Sequence, residues 1–147
     1  MGPPPLVAAG AFSAELPALR VATALANGLR RGGLPGSDLC PILDDDAPAD
    51  DVRGRLDAVD FDTRMRQARA VIVAARRLDA RTLAGSAAFE IATRARQAGV
   101  PAYAVTGENR LGSFDARILD LQTILQANDS RALTAAGKAL AQLLQYP

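Results

Sequence analysis

Apolar residues fall into two kinds of pattern along the chain, short unbroken runs and longer stretches at helical spacing. Leu6 to Ala9 is an unbroken run ending at Gly10, the length of a short buried strand. From Glu15 to Arg31 the positions Leu16, Leu19, Ala22, Ala26 and Leu29 recur with helical period. Ser13 is placed to cap this helix, and Pro17 falls in its first turn, where a missing N–H costs little. Gly32 and Gly33 end it. Asp38 to Leu43 reads as a second strand, with Pro41 assigning it to a sheet edge or marking its end. Asp44 to Asp51 is acidic, contains a proline and has no period, which predicts a loop. A short helix is expected around Asp62 to Gln67, and Ala70 to Ala75 is the clearest buried strand. Leu83 to Gln97 reads as a second long helix, closed by Gly99 before Pro101. Ala102 to Thr106 is the next strand, Ile118 to Leu121 a fifth, and Ser130 to Gln145 the terminal helix, capped by Ser130 or Asp129.

Strands that are apolar throughout and alternate with helices imply a mainly parallel sheet covered on both faces. The expected fold class is therefore α/β: a single three-layer, Rossmann-like domain over residues 1–147, with about five strands and helices on both sides. Ligands of such sheets gather beyond the carboxyl ends of the strands. Those ends are Gly10 to Ser13, Asp44 to Asp46, Ala74 to Asp79 and Thr106 to Arg110.

Composition narrows the function classes. Of 147 residues 49% are hydrophobic and 22% charged, as in ordinary globular proteins. The formal net charge of +1 gives no electrostatic case for nucleic acid or a membrane surface, and the longest apolar runs are too short to cross a bilayer. Cys40 is the single cysteine, so no intrachain disulfide can form, and a reducing, cytoplasmic setting is expected. The Met-Gly-Pro-Pro-Pro start lacks the basic and apolar regions of a signal peptide. There is no histidine, and Lys138 is the sole lysine. The acidic run matches no calcium-loop spacing, so no metal and no cofactor is expected.

Two segments carry a family resemblance. Leu6 to Arg31 keeps Phe12, Leu16, Ala18, Gly28, Leu29, Arg30 and Arg31 of a pattern that runs strand, Asp-Ser-Phe-Lys-Gly turn, helix and Gly-Leu-Arg-Arg. Ala68 to Gly107 keeps Arg77, Leu78, Asp79, Thr82, Leu83, Gly85 and the Ala98-Gly99-Val100-Pro101 run. The pattern there reads strand, Thr-Gly-Glu-Gly-Arg-x-Asp-x-Gln-Thr-x-x-Gly-Lys, helix and Ala-Gly-Val-Pro. In both segments the chain resembles type-1 glycerate kinases, and Phe114 to Leu144 is similar in layout. The resemblance implies the Rossmann-like outer domain of such a kinase, with the large second domain that interrupts it replaced here by the acidic stretch 44–51.

The departures from that pattern govern the expected function. Gly10, Ser13 and Ala14 stand where the turn has Asp, Lys and Gly, and Val73-Ala74-Ala75-Arg76 replaces Thr-Gly-Glu-Gly. Ser86 replaces the lysine of Gly-Lys, and Asp45 to Ala49 replaces a Gly-Gly-Glu-Gly-Thr stretch. Phosphoryl transfer needs cations and backbone N–H groups around the phosphates, so the expectation is a glycerate kinase-like protein without kinase activity. It would bind a small anionic ligand or a protein, a homodimer being one form of the latter. The alternatives are an enzyme with altered chemistry on a hydroxy-acid or phosphorylated substrate, and half of a kinase completed by a partner chain. The candidate ligand-binding residues are Arg77, Asp79 and Thr82 after the central strand, and Gly107, Glu108, Asn109 and Arg110 after the next. Arg77 can hold an anion at the following helix N-terminus. The same residues can instead be structural, with Arg77 paired to Asp79, Thr82 capping the helix and 107–110 forming a plain turn.

Overall fold

The computed structural model describes residues 2–42, 49–81 and 85–145. In chain order the elements are β1 Leu6–Ala9, α1 Ala18–Arg31, β2 Asp38–Pro41, α2 Ala49–Ala58, α3 Phe61–Arg66 and β3 Val71–Leu78. They continue with α4 Ala87–Ala98, β4 Ala102–Asn109, α5 Ser113–Leu119, β5 Ile124–Gln126 and α6 Ser130–Gln145. The strands form one sheet in the order β2-β1-β3-β4-β5, and every neighbouring pair is parallel. This is the order of flavodoxin-like doubly wound sheets, with its switch point between β1 and β3. The expected α/β, Rossmann-like, three-layer domain is what the chain forms.

Continuous burial on both faces explains the unbroken apolar runs. Leu6, Ala8, Val71, Val73 and Ala75 face a core closed by α2, α3 and α4. Val7, Ala9, Ile72, Ala74 and Val105 face the opposite core, closed by α1 and α6. The edge position of β2 accommodates Pro41, its last residue, since an edge strand tolerates a residue without an N–H.

Four expectations need correction. Residues 49–51 of the predicted acidic loop open helix α2, because Val52 and Leu56 lie one turn apart and are both fully buried; residues 43–48 lie outside the described residues. The predicted strand at Ile118 to Leu121 is instead the end of α5, closed by Asp120 in the left-handed conformation (φ 54°). The fifth strand follows at β5. A two-residue apolar run fits either element, and Leu119 buries its side chain from a helix. Helix α1 begins at Ala18 with Pro17 as its N-cap, so Ser13 caps the preceding turn, its Oγ accepting from the Leu16 N–H at 3.1 Å. Helix α4 begins at Ala87, where Ser86 Oγ accepts from the Phe89 N–H at 3.2 Å. For α6 the predicted boundaries hold, and Asp129 is the cap, its Oδ1 accepting from the Ala132 N–H at 2.7 Å.

Helices α1 and α6 touch through glycine. A Cβ on Gly28 would collide with the Thr134 carbonyl oxygen, one on Gly137 with the Leu25 carbonyl oxygen, and one on Gly32 would lie 2.5 Å from Ala141 Cβ. The two backbones therefore approach as closely as side-chain-free positions allow. That contact holds α1 and α6 side by side on one face of the sheet. Among the described residues no helix is long and apolar enough to cross a membrane.

Candidate functional site

Strands β3 and β4 run past their apolar stretches into polar residues, pairing Arg77 with Glu108 and Leu78 with Asn109 in register. Side chains alternate along β3. Ile72 and Ala74 face the α1/α6 core while Val73 and Ala75 face the α4 core. Arg76 continues that alternation and lines the α1/α6 side, whereas Leu78 is buried in the α4 core.

On the α1/α6 side the chain forms an open pocket of about 340 Å³, lined by Phe12, Ser13, Leu16, Arg76, Gly107, Glu108 and Asn128. Its walls have separate origins. The β1–α1 connection folds back on itself, with the Phe12 and Ser13 N–H groups donating to the Leu16 carbonyl at 2.9 and 3.4 Å. This turn seats Phe12 on the apolar core and leaves Leu16 half-buried beside it. Gly107 supplies the floor. A Cβ there would lie 2.9 Å from the Arg76 carbonyl oxygen, 3.1 Å from Asn128 Oδ1 and 3.7 Å from Phe12 Cδ2, so a side chain would fill the space. Asn128 comes from the β5–α6 connection. Arg76 is exposed and has no hydrogen-bond or ion-pair partner among the described residues. The pocket thus joins one unneutralised guanidinium, a hydroxyl and an amide to an apolar wall.

Only two of the residues singled out from sequence lie at the pocket. Gly107 and Glu108 line the pocket. Arg77 Nε lies 3.0 Å from Asp79 Oδ2, and Asp79 Oδ1 accepts from the Arg81 N–H at 2.9 Å. Arg110 forms an ion pair with Glu108, and Asn109 Oδ1 accepts from the Leu111 N–H at 3.1 Å. Thr82 lies outside the described residues. Arg76, Phe12, Ser13, Leu16 and Asn128 are pocket residues that the sequence reading did not propose. Strand alternation from Ile72 through Ala74 was the signal that would have chosen Arg76. Asn128 carries no such signal, because a loop residue is brought in only by the fold.

Two further features border the sheet. At the switch point a cavity of about 10 Å³ is lined by Ala8, Gly10, Ile42, Ala74, Ala87 and Ala88, and it has room for one water at most. Beneath β2, Arg64 grips Asp38 through Nε–Oδ2 at 3.0 Å and Nη2–Oδ1 at 2.6 Å, and its Nη1 lies 3.5 Å from the Cys40 sulfur. Burial pushes the Cys40 thiol pKa up, with the Arg64 charge pulling the other way. Among the described residues no three His, Cys, Asp or Glu side chains gather as metal ligands.

Comparison with known proteins agrees with this architecture. The diflavin flavoprotein A3 from Nostoc sp. has a solved structure similar to this chain at a TM-score of 0.50 and 14% identity, covering 98% of this chain and 94% of that one. A likeness at that identity concerns the fold alone. No curated protein matches. The sequence model described as the glycerate kinase family matches residues 52–145, more than half of the chain. On that match the chain belongs to the glycerate kinase family.

Proposed function

We propose that this protein is a non-phosphorylating member of its family, the outer domain alone, which binds a small anionic ligand beyond the carboxyl ends of β3 and β4. The observation that carries the reading is Arg76, which has no partner among the described residues, in a pocket of ligand size. A kinase would need several cations, a phosphate-cradling loop and a group to orient the acceptor hydroxyl. Here Lys138, the sole lysine, is exposed on α6, and Ser13 and Ser86 stand where the family's lysines do. Within the proposed site Gly107 and Glu108 act with Arg76, and Asn109 and Arg110 form the rim. Arg77 and Asp79 hold the adjacent strand end. An acidic stretch of sequence over 44–51 where the family has its second domain, and a cytoplasmic location, complete the reading.

Incubation with ATP, glycerate and Mg²⁺ is expected to give no phosphoglycerate, while anionic small molecules raise the melting temperature. A ligand at a hundred times its Kd stabilises a fold by about 2.7 kcal/mol, a shift of several degrees at this size. Turnover above background would end the non-kinase reading. We further propose self-association through α5, where Phe114 is 73% exposed and Ile118 lies one turn on. Light scattering should then give twice the monomer mass at high micromolar concentration, and a monomer there excludes it.

A further inference from the structure

The chemistry of the pocket says more about its occupant than size alone. We infer that the ligand is a singly charged anion with a compact apolar body, of the class of aromatic or short branched monocarboxylates; this rests on the ligand-binding reading above. Charge is the first argument. Among the described residues that line the pocket Arg76 has no charge partner, whereas Glu108 is paired with Arg110. A single guanidinium matches one carboxylate, which it can hold through two parallel N–H···O bonds. It does not match a triphosphate, and the β1–α1 turn contributes no glycine-rich nest, since Gly10 is followed by Ala11, Phe12, Ser13 and Ala14.

Surface chemistry is the second argument. The half-buried Leu16 and the small exposed part of Phe12 form the apolar side of the pocket. An aromatic ring or branched alkyl group covers that side. Ser13 and Asn128 stand beside the wall as hydrogen-bonding groups that orient the head.

The test is an amide-resolved NMR titration of the full chain with five probes: benzoate, its neutral isostere benzamide, formate as a bare head group, glycerate and inorganic phosphate. Benzoate is expected to shift the Ser13, Leu16, Gly107 and Asn128 amides and to bind at least about tenfold more tightly than benzamide or formate, the scale of one charged hydrogen-bonded contact. Arg76→Gln should remove that preference, while Arg117→Gln, at an exposed site on α5, should keep it. Equal binding of benzoate and benzamide overturns the inference, because charge is then not read. Binding of glycerate or phosphate through Arg76 without benzoate overturns the ligand class and leaves the ligand-binding reading standing. If no probe moves any amide, both fall.

Discussion

Cys40 and Arg64 meet beneath the edge strand, and each constrains the other. The thiol is buried and its pKa raised, so the proton is held more firmly in the folded chain than in the unfolded one. Its contribution to stability is therefore complete below the ordinary thiol range and is lost as pH rises through the raised value. Native protein at pH 8 is expected to react with iodoacetamide far more slowly than protein in urea, and equal rates would contradict the burial. Arg64 has its pKa raised first by the hydrogen bonds to Asp38, with burial opposing, and it also donates to the Leu39 carbonyl at 2.9 Å. Lysine cannot reproduce that fork. Arg64→Lys should cost about 1–2 kcal/mol in urea unfolding, as loss of a charged two-point contact does. At this scale the sequence was readable only in part. Arg77 was the candidate arginine after the central strand, and only the folded sheet shows that Arg76 is the one at the pocket.

Helices α1 and α6 illustrate how an element's packing can reverse a residue's usual effect. Glycine inside a helix ordinarily costs roughly 0.5–1 kcal/mol relative to alanine, so Gly28→Ala or Gly137→Ala should stabilise an isolated helix. In this fold each added methyl would strike the partner's backbone, which cannot move aside as a side chain can. We expect Gly28→Ala and Gly137→Ala each to destabilise by about 1–3 kcal/mol, the usual cost of overpacking. The double variant should cost less than the sum, because the first separation already admits the second methyl. A higher denaturation midpoint for either single variant would refute the close approach. The boundaries of α6 were legible because its cap and period agree. Helix α5 was not, because a seven-residue helix with exposed Phe114 and Ile118 offers no amphipathic period to read.

Across the whole molecule the sheet order sets where stability is concentrated. Strand β3 is central, paired on both sides and buried on both faces, whereas β5 has three residues, all at least partly exposed, and one neighbour. Native-state hydrogen exchange should protect the Ile72 and Val73 amides to near the global unfolding free energy, with the β5 amides exchanging through local opening. Equal protection across the sheet would mean a single cooperative unit with no weak edge. The pocket lies between these regimes. Its floor belongs to β4, while Asn128 hangs from the segment after β5, so ligand binding should slow exchange at β5 most.

Local chemistry along the chain was enough to specify strands buried on both faces, helices between them, the caps of the terminal helix and the family likeness. Each follows from short-range periodicity or from contiguous motifs, which the order of residues carries directly. The assembly of the pocket needed more. Phe12, Arg76, Gly107 and Asn128 are far apart in sequence and converge because a β2-β1-β3-β4-β5 sheet brings their loops to one end. Strand alternation groups Arg76 with Ile72 and Ala74, but which face of β3 carries the pocket is set by the packing of α1 and α6. Long-range convergence is a property of the packed sheet, and no local pattern encodes it.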